Sequence, residues 1–155
     1  MSYNPKEYWE DRADSWVNEN TDFNGWDDIL KEFIDPDKKT IEIGSGVGRW
    51  SVLFNDYEGW DISQKLVNFA SNKHPDKKFK CVDIRTVPVE SEQIFSFSCL
   101  QHIPEGELKN LKLKGKIIAV EPNIPSGVQH CFMHDYSELG LKEVKREGIL
   151  SIWTN

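Results

Sequence analysis

In "TIEIGSGVGRWS", residues 40 to 51, Gly44, Gly46 and Gly48 recur at every second position, and Glu42 stands two residues ahead of the first. A glycine turn after a β-branched run lets a ligand approach the backbone closely, and such turns hold nucleotides. Spacing indicates which kind. The dinucleotide fingerprint G-x-G-x-x-G needs glycine at 49, where Arg49 stands, and the phosphate loop G-x-x-x-x-G-K-[ST] is absent. A pyrophosphate ligand is therefore disfavoured. The pattern suits a nucleoside that carries an amino acid instead of phosphate. Gly44, Ser45, Gly46 and Gly48 would form its floor, and the Glu42 carboxylate would face its ammonium or hydroxyls.

Further acids and one histidine follow at regular places. Asp61 ends "GWD", 19 residues after Glu42, Asp83 lies in "CVDI", and His102 lies in "SCLQHIP". Together, "IEIGSGVGRW", "GWDIS", "CVDI", "FSCLQHIP" and "AVEPN" resemble the ordered motifs of the class I S-adenosylmethionine-dependent methyltransferases, in their compact, small-molecule form. The first resembles motif I, (D/E)-x-G-x-G-x-G, and "EYWEDRADSW" resembles the cap helix that closes the cofactor site. The resemblance covers roughly residues 5 to 125. It implies S-adenosylmethionine as cofactor and S-adenosylhomocysteine as product. It also implies that Asp61 accepts the ribose hydroxyls, that Asp83 meets the adenine amino group, and that Ile62, Ile84 and Leu100 border the nucleoside. Tyr8 and Arg12, one helical turn apart, would reach the methionyl carboxylate.

The implied reaction moves a sulfonium methyl to an oxygen or nitrogen of a small molecule. The enzyme must align the acceptor and accept its proton. His102 is the candidate base, because an imidazole titrates near neutral pH and the residue follows the fourth strand. It could equally order the turn before Pro104. Tyr8, Trp9 and Trp16 would either shield a sulfonium by cation–π contact or simply pack the helix. His130 and His134 have helical metal spacing, but no third ligand is in view and no metal is expected. The segment between the fourth and fifth strands is about a dozen residues, shorter than in most relatives, and this is where substrate pockets are usually built. That shortness keeps open a protein that cleaves the cofactor, or that senses it as a non-catalytic partner subunit.

These residues need a frame to hold them. Pro5 and the residues after it predict a first helix, and "WDDILKEFI" a second, the two forming a cap over residues 1–35. From 39 to 155 the pattern alternates: strands at "TIEIG", "YEGWDIS", "KFKCVDI", "IFSFSCL" and "GKIIAVEPN", with short helices at "RWSVLFN", "QKLVNFASNKH", "EGELKNLK" and "YSELG". Ser63 is placed to cap the second of these. "LKEVKRE" and "ILSIWTN" form a strand pair across Gly148. The expectation is one α/β domain, residues 1–155. It is a minimal Rossmann-like three-layer sandwich, mostly parallel, with an antiparallel C-terminal pair and the ligand at the carboxyl ends of the strands. "DFNGW" is read as a turn on which the cap opens.

Composition narrows the partners. Net charge is −7, and the lysines are spread in pairs over turns, so nucleic acid is not an expected substrate. The N-terminal residues show no apolar leader and no run reaches membrane-spanning length. Three cysteines, Cys81, Cys99 and Cys131, form no CxxC, and Cys81 and Cys99 read as small buried hydrophobes in strands. A reducing, cytoplasmic setting is expected. A flank left bare by the short crossovers would be covered by a second copy, so both monomer and homodimer stand. Six tryptophans call for a core or a pocket to bury them.

Overall fold

The structure, a computed structural model, describes residues 2–18 and 23–155. Its order is α1 (Pro5–Trp16), α2 (Trp26–Lys31), β1 (Thr40–Ile43), a 3-10 turn η1 (Arg49–Leu53), β2 (Tyr57–Asp61), α3 (Gln64–Lys73), β3 (Lys78–Cys81) and β4 (Val89–Phe97). Then come η2 (Leu100–His102), η3 (Leu108–Asn110), β5 (Leu113–Pro122), η4 (Tyr136–Leu139), β6 (Lys142–Glu147) and β7 (Leu150–Thr154). Of the expected opening turn "DFNGW", only Asp22 lies outside the described residues.

Seven strands form one sheet in the order β3-β2-β1-β4-β5-β7-β6. β1 to β5 are mutually parallel, and β7 runs antiparallel to both β5 and β6. The strand order reverses between β1 and β4, which opens a crevice at their carboxyl ends. The buried run Thr40–Ile43 sends Ile41 and Ile43 to one face, and Glu42 to the other, because side chains alternate along a strand.

Each face has its own core. Trp26, Leu30 and Ile34 pack with Trp50, Phe54 and Phe95 on one side. On the other, Ile41, Ile43 and Ile94 pack with Leu100, Leu108 and Tyr136. The outer layers are therefore present but thin: η1 and η3 are 3-10 turns shorter than the helical segments predicted at "RWSVLFN" and "EGELKNLK", η4 matches the short helix expected at "YSELG", and η2 adds a turn after β4. The "RWSVLFN" segment shows why. Gly48 is left-handed and Phe54 already extended, leaving five residues between them, and the chain must re-enter the sheet at Tyr57.

Ser63 caps α3 as read, and Asn4 proves to cap α1. Asn4 accepts from the backbone of Lys6 and Glu7, and Ser63 Oγ accepts from Leu66 N–H at 3.3 Å. The same Ser63 hydroxyl donates to Glu10 at 2.7 Å, which anchors α1 across the N-terminus of α3. The edge strands carry Lys78 and Lys80 on β3, and Lys142, Lys145 and Arg146 on β6. Such charges blunt edge-to-edge pairing, which weakens the case for a second copy there. Cys81 differs from expectation: it is exposed on the β3 edge, because the outermost strand has only one neighbour. None of the described helices is long and apolar enough to cross a membrane.

Candidate functional site

A cavity of about 210 Å³ opens at the carboxyl ends of β1, β2 and β4, beneath α1. The glycine turn forms its floor. Gly44 is left-handed (φ 68°), and a Cβ there would lie 2.3 Å from Cys99 Sγ, so only glycine fits. Gly46, also left-handed, faces Trp16, while Ser45 donates its N–H to the Trp60 carbonyl at 3.0 Å. The Ser45 hydroxyl lines the cavity, is buried, and has no partner. An orphaned hydroxyl in a glycine cradle is what a polar ligand would complete.

Three buried acids surround this floor. Glu42 is 1% exposed and accepts a hydrogen bond from the Tyr57 hydroxyl; burial pushes its carboxyl up to about 8. Asp61 accepts Gly46 N–H at 2.8 Å on one oxygen and Ser63 N–H at 3.0 Å on the other. Each oxygen keeps a free lone pair, the geometry needed to accept two neighbouring hydroxyls. Burial raises Asp61 too, against the backbone N–H groups of Ser63, Gly46 and Ile62. Glu121, on β5, is the third. It was not singled out from sequence, yet an acid inside the apolar run "IIAVEP" is the same signal as Glu42 in "TIEI". Its two oxygens accept N–H from Cys99, Leu100 and Gln101 at 2.8–3.1 Å and so fix the loop after β4. That loop begins at Ser98, whose φ of 52° is the sole positive value among described non-glycine residues.

Asp83 also lines the cavity, but as half of a clamp. Arg85 donates to it through Nε at 2.9 Å and Nη2 at 2.7 Å, and to Glu107 through Nη1 at 2.8 Å. The Arg85 guanidinium holds the Asp83 carboxyl below its ordinary range. Ile62 and Ile84 line the cavity beside it.

His102 lines the cavity and stacks edge-on against Trp9 at 4.8 Å. Its Nδ1 lies 2.8 Å from the His130 carbonyl. A carbonyl only accepts, so Nδ1 carries the proton and Nε2 keeps its lone pair. Burial drives the imidazole down to about 4, so it is neutral at physiological pH. The loop after β5 wraps this residue, with Phe132 N–H bonded to Gln101 O at 2.7 Å and His134 Nε2 at 2.9 Å from Ile103 O. Fold proximity supplies the third metal-type ligand that sequence spacing lacked: His102, His130 and Cys131 place ligand atoms within 4.8 Å of one another. His134 is not among them. The two imidazoles stack at 5.4 Å and 19°, and the proton on His102 Nδ1 leaves Nε2 as that residue's free nitrogen. The trio braces the loop after β5 against η2.

Four expected contacts fall elsewhere. Leu100 is fully buried in the core behind the cavity, and Gly48 backs onto Phe79 and His74. Tyr8 stacks on His130 at 4.4 Å, and Arg12 is exposed. α1 turns Pro5, Trp9 and Trp16 to the cavity; Tyr8 is rotated off that stripe, whereas Arg12 shares its phase and still does not line the cavity. Four of the six tryptophans, Trp9, Trp16, Trp50 and Trp60, line the cavity.

No family model matches the sequence, and no curated relative matches it. Solved structures do. DhpI in its SAH complex superposes with a TM-score of 0.71 at 15% identity, over 97% of this chain and 94% of that one. Magnesium protoporphyrin IX methyltransferase from Synechocystis PCC 6803, with bound SAM, gives 0.66 at 16% identity, over 99% and 97%. A TehB-like SAM-dependent methyltransferase from Corynebacterium glutamicum gives 0.65 at 15% identity, over 98% and 99%. This chain has the class I methyltransferase fold. The strand order, with β7 antiparallel between β5 and β6, is that fold's order, and the cavity lies at its switch point.

Proposed function

We propose that this protein is an S-adenosylmethionine-dependent methyltransferase acting on an oxygen or nitrogen of a small molecule. The observation that carries the reading is Asp61. It is a buried carboxylate at the end of β2, held by two backbone N–H groups, with a lone pair left on each oxygen for a ribose diol. Asp83 and Ile84 would border the adenine, Gly44, Ser45 and Gly46 the amino-acid end, and Glu42 would oppose its ammonium. When bound, the cofactor supplies an electrophilic methyl on a sulfonium.

The chain's own residues do the rest. Trp9 and Trp16 exclude water from one wall. Neutral His102 takes the acceptor's proton at Nε2, while Nδ1–H remains on the His130 carbonyl. Glu121 keeps the His102 loop in register. Titration calorimetry with S-adenosylmethionine, S-adenosylhomocysteine and NAD tests the reading. Binding of the first two, none of the third, and at least tenfold weaker binding by Asp61→Ala are expected. Equal affinity of Asp61→Ala would remove the assignment. The brevity of η2 and η3, three residues each, favours as a second reading a protein that cleaves or senses the cofactor. Product analysis separates them, since transfer leaves S-adenosylhomocysteine and cleavage leaves methylthioadenosine.

A further inference from the structure

Two cations line the cavity, Arg49 and Arg85. Arg85 is spent, with donors on Asp83 and on Glu107. Arg49 is half-buried and has no carboxylate partner among the described residues. Its guanidinium carbon lies 4.9 Å from the centre of the Phe23 ring and 6.0 Å from that of Trp50. A guanidinium cannot shed its proton, so removing it from water leaves an uncompensated charge that ring faces offset only in part. Ring contact of this kind uses none of the N–H donors, and a planar, two-oxygen anion matches their fork.

We propose that Arg49 is the carboxylate receptor of this cavity, an inference that rests on the methyltransferase reading above. Sheet geometry fits the assignment. Arg49 follows the β1 turn on the side of β4, beside Trp50 and near Phe97, whereas Asp83 follows β3. β3 and β1 are separated by two strand spacings, about 10 Å. A ligand with its base at Asp83 therefore brings its far end to Arg49. That far end is the methionyl carboxylate of the cofactor, or else a carboxylate on an acceptor seated against Phe23, Trp50 and Phe97. The recognition chemistry is the same.

Calorimetry on the whole chain distinguishes the two sources. S-adenosylhomocysteine carries the carboxylate and methylthioadenosine lacks it. If the cofactor supplies the anion, Arg49→Gln weakens S-adenosylhomocysteine roughly ten- to a hundredfold. Methylthioadenosine is unchanged, and Arg49→Lys falls between. If the acceptor supplies it, both nucleosides bind Arg49→Gln as they bind wild type. Benzoate then binds the S-adenosylhomocysteine-loaded wild type but not the loaded variant. An equal fall for both nucleosides would make Arg49 merely structural and overturn the proposal. So would unchanged affinity for all three probes. Failure of the wild type to bind either nucleoside overturns the methyltransferase reading instead. Urea midpoints of the variants confirm that each is folded.

Discussion

Glu42 should make this protein less stable as pH rises, and Glu42→Gln should remove that dependence. In the unfolded chain its carboxyl ionises near 4.5; in the fold, burial holds it protonated up to about 8. Between those values the native state binds the extra proton, so stability falls with rising pH. Each pH unit is worth about 1.4 kcal/mol. From about pH 5 to about pH 8, with partial titration at both ends, the loss is about 3 kcal/mol. Gln keeps the acceptor for Tyr57 and has nothing to ionise. The assay is urea unfolding of both proteins at the two pH values. With an m-value of roughly 1–3 kcal/mol/M, the gap in midpoint should widen by about 1–3 M. Comparing variant with wild type isolates Glu42 from Asp61 and Glu121, whose raised carboxyls contribute with the same sign. A gap that stays constant across the range would refute the reasoning. The same variant should bind S-adenosylmethionine more weakly, a stability gain set against a site function.

Gly44→Ala should cost about 2–5 kcal/mol, from the left-handed backbone and the clash with Cys99. Adding Cys99→Gly should recover the clash portion, and a Gly44→Ala single variant as stable as wild type would contradict the packing. His102 should titrate below about pH 5 by nitrogen NMR, with the proton on Nδ1. A midpoint near the ordinary histidine value would show that the imidazole is not buried as described. Glu121→Ala strands three backbone donors, so hydrogen-exchange protection at Leu100 and Gln101 should drop with an overall loss of several kcal/mol. Retained protection there would rule out its role in holding the loop.

What the sequence made legible was local. The run "TIEIG" with its glycines, and Asp61 closing "YEGWD", are each short-range signals of a strand end followed by a turn. Ser63 as a cap and the turn at Gly148 are equally short-range signals. What escaped required tertiary proximity. Nothing near residue 102 announces that His130 and Cys131 will arrive beside it, since 28 and 29 residues separate them. In the sequence Arg49 counts only as the residue that breaks the dinucleotide fingerprint; the Phe23 ring 4.9 Å from its guanidinium is a tertiary contact. α3 forms as predicted, whereas "RWSVLFN" and "EGELKNLK" shorten to 3-10 turns for a simpler reason. Apolar periodicity over five residues is shared by one α-turn and one 3-10 turn, and the distance left before the next strand chose between them.

The shortened crossovers bear on how little a site of this kind requires. Asp61 is fixed by Gly46 and Ser63 N–H, Glu121 by three consecutive N–H groups, and Asp83 by its own neighbour Arg85. Each holding group sits in a strand end or the turn directly after it. None belongs to a crossover helix body. Trimming those helices therefore removes buried area, and with it stability, without moving the acids. The lost layer is replaced locally by aromatic packing: Trp50 lies 4.7 Å from Phe97, and Phe54 stacks on Tyr57 at 5.7 Å. Tyr57 is also the donor to Glu42. The residue that thickens the core thus orients the acid beneath the cavity, so in this chain core packing and site geometry are set by the same side chain.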